Sequence, residues 1–164
     1  MSRASICLIL CLIPGPVCAG PVEADEAGMA AQVLERVNVV RKAGHTCGGK
    51  QYAPAPPVTL SPVLTQAALR HAGDMAKQGR LDHVGSDGRH LTERVSEASY
   101  DWTALGENIA AGQPDAAAVM GSWLESPGHC ENIMGPQFTE MGIARARAST
   151  GAKALYWTQV FAAQ

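Results

Sequence analysis

A strand that is apolar on both faces needs cover on both, and this chain ends on one. In "ALYWTQVFAA", Leu155, Trp157, Gln159 and Phe161 alternate with Tyr156, Thr158, Val160 and Ala162. Both phases of the two-residue period carry apolar side chains, so neither face is left to water. Upstream, "FTEMGIARARAS" has strand character too. Thr150-Gly151 between the two segments predicts a β-hairpin. The rest of the chain must therefore supply layers for two faces of a sheet.

Helical periodicity supplies them. Met29, Val33, Val37 and Val40 recur at helix spacing over about 25–43, and Gly44 ends the pattern. "HTCGGKQYAPAPPVTL" then reads as a Gly/Pro-rich connection. In "LSPVLTQAALRHAGDMAKQG", Ser61 stands at the N-cap, Pro62 in the first turn and Gly79 after the end. Leu64, Ala68, His71 and Met75 fall on one face. His71 lies in the middle of an apolar stripe, which predicts a core histidine bonded to a neighbour's main chain. "DHVGSDGRH" is a turn-rich loop, "LTERVSEASY" a short helix and "LGENIAAG" a short strand bounded by glycines. "PDAAAVMGSWLES" is helical with Ala116, Val119, Met120 and Trp123 inward. Helices first and paired strands last give an α+β layered domain.

The first twenty residues stand apart. Arg3, the apolar run Ala4 to Ile13, the break Pro14-Gly15-Pro16 and the small residues of "VCAG" form a secretory signal pattern, with cleavage near Ala19-Gly20. The run is too short to span a bilayer, and nothing downstream is long and apolar enough to serve as a transmembrane anchor. The expected organisation is a signal peptide at 1–20, a lead-in at 21–29 and one domain at 30–163, secreted or periplasmic. Cys7, Cys11 and Cys18 leave with the signal. Cys47 and Cys130 remain, an even pair in an oxidising compartment, so a disulfide is expected. Closing so long a loop is worth roughly 4–5 kcal/mol at most in the chain-entropy treatment. Thirteen Lys and Arg, less Arg3, against 15 Asp and Glu leave a net charge of −3. There is no basic stripe for nucleic acid.

Three polar residues stand in unusual settings. His83 follows a helix in a glycine-rich loop. Glu107 sits between Gly106 and Asn108. His129 follows Pro127-Gly128 where a helix pattern breaks. Two neutral imidazoles and a carboxylate suit a divalent metal, zinc above all, and equally a buried acid–base cluster or three unrelated residues. No local metal motif joins them. Arg89 and Arg94 read as solvating a short helix.

The order of "H-x-G-x-D-G-R", "GENIAAG", "W-x-x-S-P-G-H" and "YWTQVF" over about 30–163 resembles the CAP superfamily of cysteine-rich secretory, antigen-five and pathogenesis-related proteins, in its secreted bacterial SCP-domain form. The resemblance implies a three-layer α-β-α sandwich with a mainly antiparallel central sheet and an open cavity. It implies that His83, Glu107 and His129 face that cavity, with zinc or another divalent cation on His83 and His129. Glu107 would then be the general base if the protein is a metal-dependent hydrolase. The family's second cavity glutamate is missing: Ser126 occupies its place in "WLES", and Glu125, one residue early, points to solvent. The Pro-Gly break would turn His129 inward, with Cys130 facing the Cys47 loop. Asn108 and Gln159 would brace the cavity. The implied function is a secreted, monomeric binding domain for a metal, small ligand, lipid or protein partner. The alternatives are a zinc-dependent, protease-like hydrolase and a purely structural extracytoplasmic domain.

Overall fold

The closing strand is buried along its whole length. In the computed structural model, which describes residues 21–149 and 155–164, β6 (Leu155–Ala163) has no exposed residue. The signal pattern at 1–20 and the hairpin turn Thr150-Gly151 lie outside the described residues.

Eleven elements are described: α1 (Pro21–Ala43), β1 (His45–Cys47), β2 (Lys50–Tyr52), β3 (Thr59–Leu60), α2 (Pro62–Gln78), α3 (Leu91–Glu97), β4 (Ala104–Ala111), α4 (Ala116–Glu125), α5 (Pro127–Met134), β5 (Glu140–Arg147) and β6. The main sheet runs β3-β5-β6-β4. β6 pairs antiparallel with β5 and β4, and β3 runs parallel to β5. The architecture is the expected α-β-α sandwich. One face packs on α1, α4 and α5 through Val33, Val37, Trp123, Ile133, Trp157 and Phe161. The other packs on α2 and α3 through Leu64, Ala68, Val95 and Val160. Burying a side chain such as Phe161 is worth roughly 1.5–3 kcal/mol. Gly142 sets how closely α2 lies on β5. A Cβ there would fall 2.1 Å from the main-chain carbon of Leu64.

Three short features depart from the sequence reading. The Gly-rich connection contains a hairpin, β1–β2, turning at Gly48 (φ 55°) and Gly49 (φ 87°), a pair of left-handed positions that glycine adopts without strain. Ser61 is at the N-cap of α2 but its side chain makes no capping bond. The "SPGH" break starts a second helix: Ser126 ends α4 and precedes α5, and Pro127 fits the first turn because it has no N–H to leave unpaired.

Two cross-links hold α5 in place. Cys47 and Cys130 form the expected disulfide, with their Cα atoms 5.5 Å apart. The fully buried Arg41, at the end of α1, donates to four carbonyls: Pro56 (2.7 Å), Ile133 (2.8 Å), Gly135 (3.0 Å) and Phe138 (3.1 Å). Ile133 and Gly135 lie at the C-terminus of α5, where the helix dipole is negative.

Candidate functional site

Strand β4 carries the site. Its alternation sends Glu107 to the α2–α3 side of the sheet and Asn108 to the α5 side. Glu107 is nearly buried, and each of its oxygens is engaged. Oε1 accepts from His83 Nδ1 at 2.8 Å, and Oε2 accepts from Arg94 Nη2 at 2.5 Å. His71 Nε2 is a third nitrogen neighbour, 3.9 Å from Oε1. Burial pushes the Glu107 carboxyl up, but the His83 hydrogen bond and the charges of Arg94 and His71 outweigh it and hold the group below its usual range.

The residues around Glu107 hold one another. His71 Nε2 donates to the carbonyl of Asp82 at 2.9 Å, as expected of a core histidine, and so fixes the loop that presents His83. Burial depresses the His71 imidazole, and its Nδ1 meets no partner among the described residues. The side chain of His83 is 56% exposed. Its hydrogen bond to Glu107 raises its pKa. Because Nδ1 donates to the carboxylate, the neutral ring turns its Nε2 lone pair outward.

Helix α5 approaches the same strand from the other side. Asn108 Nδ2 donates to the carbonyl of His129 (3.2 Å) and to Gln159 Oε1 (3.0 Å). Asn132 Nδ2 donates to the carbonyl of Glu107 (3.0 Å) and to Asn108 Oδ1 (2.9 Å). The half-buried His129 is held below its usual pKa by burial and then by the potential of His83. His83 and Glu107 are thus in direct contact, and His129 flanks the same strand within electrostatic reach. Glu125 is exposed, and Ser126 sits half-buried at the α4–α5 junction.

Arg94 overturns an expectation. It does not solvate α3. It is 9% exposed, tied to Glu107 and to the carbonyls of His83 and Arg89. Its place three residues after Leu91 and one before the buried Val95 was the available signal. Asn132 was also missed, although it shares a helix face with His129 three residues earlier. Arg89 does stay exposed, paired with Asp87 and Glu97.

Among the described residues no three His, Cys, Asp or Glu side chains are gathered so as to hold a metal ion. Glu107 lies behind His83 and orients its ring through Nδ1.

The model of the cysteine-rich secretory protein (CAP) family matches residues 34–161. The chain belongs to that family. Its CAP domain is similar in structure to an extracellular SCP-domain protein of Bacillus anthracis str. Ames, with TM-score 0.71 and 25% identity over 92% of this chain and 45% of the other. It also has the fold of an outer surface protein of Borrelia burgdorferi, with TM-score 0.66 and 17% identity over 80% and 90% of the two chains. In sequence it is 28% identical to YkwD of Bacillus subtilis (strain 168) over 105 residues, 64% of this chain and 39% of YkwD. The membrane protein YlbC of the same organism is 30% identical over 96 residues, 58% of this chain and 26% of YlbC. The chain thus spans well under half of both Bacillus subtilis relatives. No described helix is long and apolar enough to cross a membrane.

Proposed function

We propose that this CAP domain is an exported binding module whose cleft holds a divalent cation, zinc foremost, on His83 and His129. The carrying observation is the 2.8 Å hydrogen bond from His83 Nδ1 to Glu107, which leaves Nε2 as the outward donor. Metal-binding histidines are commonly oriented by a carboxylate on the far ring nitrogen. Glu107 is engaged through both oxygens, which favours an orienting role over that of general base. Bound zinc would supply a Lewis-acidic centre there. Export accords with the signal pattern at 1–20 and with the extracellular neighbour.

Calorimetric titration with zinc tests the reading. Binding is expected in the wild type and lost in His83→Ala and in His129→Ala. Unchanged binding in both variants rejects the site. Turnover of casein or peptides that disappears in Glu107→Gln would favour the hydrolase instead.

A lipid reading has one observation of its own. A groove of about 500 Å³ runs between α1 and α4, lined by Val39, Val40, Met120 and Leu124, with Glu35 and Arg36 also on its wall. Its apolar lining suits an acyl chain. Displacement of a fluorescent fatty acid, weakened in Met120→Glu, would support it.

A further inference from the structure

Strand β4 is the edge of the main sheet, with β6 on one side only. In antiparallel pairing, alternate residues turn their main-chain groups to the partner strand and the others turn them away. The carbonyl of Glu107 accepts from Asn132, and that of Ile109 from Trp123 Nε1. The odd-numbered residues of β4 therefore face the open edge, while Gly106, Asn108 and Ala110 serve β6. Side chains cap this edge at the carbonyls of Glu107 and Ile109. They do not cap it at Leu105. The N–H and carbonyl of Leu105 and the N–H of Glu107 have no hydrogen-bond partner among the described residues. Leu105 is only half-buried, and this stretch lines a cleft of about 310 Å³ between Leu91 and Thr92 of α3, His83, and Asn132 of α5.

We propose that the cleft takes the C-terminal end of an extended peptide, added as a strand along Leu105–Glu107. A row of unpaired main-chain donors and acceptors at strand spacing is the recognition surface of strand addition. The open stretch is about 7 Å long, two residues of strand, before Asn132 closes it. So short a run suits a chain end and not a strand that passes through. The closed end presents the exposed ring of His83 and no free acid, because both oxygens of Glu107 are already engaged. A terminal carboxylate is the end that fits. The proposal rests on the reading of this cleft as a binding site, and it requires no cation.

The probe is an N-acetylated tetrapeptide of alternating valine and threonine with a free C-terminus, titrated in EDTA and followed by amide chemical shifts and hydrogen exchange. The amides of Leu105 and Glu107 are expected to shift and to gain protection. N-methylation of the one peptide amide that meets the Leu105 carbonyl should weaken binding about tenfold, and C-terminal amidation by a similar factor, each removing one good hydrogen bond. Leu105→Pro deletes an outward N–H without touching the β6 ladder and should weaken binding likewise. The peptide series on the wild type keeps the proposal falsifiable should that variant not fold. Absence of shifts up to millimolar peptide, indifference to N-methylation at every amide, or equal binding of the amidated peptide would overturn it. So would binding seen only with added zinc. All of these leave the cation reading to its own calorimetry.

Discussion

Two guanidinium groups are buried among the described residues, and they are neutralised in different ways. Arg41 has no carboxylate partner among the described residues. Its charge is spread over four carbonyls from three segments of chain, two of them at the negative end of α5. Arg94 has a carboxylate, Glu107, which also holds His83. The first arrangement fixes backbone and has no proton to exchange near neutrality. The second couples the sheet edge to a titratable, half-exposed ring. Burial of charge thus fixes backbone in one place and is coupled to a titratable ring in the other, and the partner tells them apart.

The largest effect should come from Arg41→Met. It leaves four carbonyls without their donor, and the cost should be about 4 kcal/mol in denaturant unfolding. A loss smaller than that of the Arg94 variant would break the comparison. Arg94→Met should cost about 3 kcal/mol by leaving Glu107 short of its main cation. Here the partner can be removed too. Arg94→Met combined with Glu107→Gln should be milder than the sum of the single changes, with a coupling of about 2 kcal/mol in a double-mutant cycle. Arg41 has no acid whose neutralisation could rescue its loss.

The smallest effects are in pH dependence, and they carry opposite signs. His71 has a folded pKa depressed below 6.5 by burial, so its favourable contribution is full above about that pH and is lost as pH falls through the depressed value. His83 has a folded pKa raised above 6.5 by Glu107, so its contribution is full below that pH and is lost as pH rises through the raised value. Melting temperatures at pH 5.5 and 7.5 should therefore move apart. Relative to wild type, His71→Gln should fare better at the lower pH and His83→Gln worse. Shifts of the same sign in both variants would contradict the arrangement around Glu107.

Much of the fold was legible one element at a time. Met29 to Val40, Leu64 to Met75 and Ala116 to Trp123 each show which face is buried, because a helix repeats its contacts every 3.6 residues. The two apolar phases of β6 required helices on both sides of the sheet. The signal pattern, which sets Cys7, Cys11 and Cys18 aside, left an even pair and pointed to the Cys47–Cys130 bridge. The hairpin at Gly48-Gly49 and the short β3 escaped because three residues are too few to show a period.

The sequence by itself settled the order of the longer elements, their buried faces and the pair of cysteines, since these depend on residues near in sequence or on a count. Only the tertiary structure decided that Arg94 turns inward to Glu107, that Arg41 reaches carbonyls more than ninety residues away, and that the outer edge of β4 is open at Leu105. The reason is physical. Apolar burial leaves a local rhythm, whereas a buried charge or an unpaired main-chain group is defined by what a distant segment brings to it.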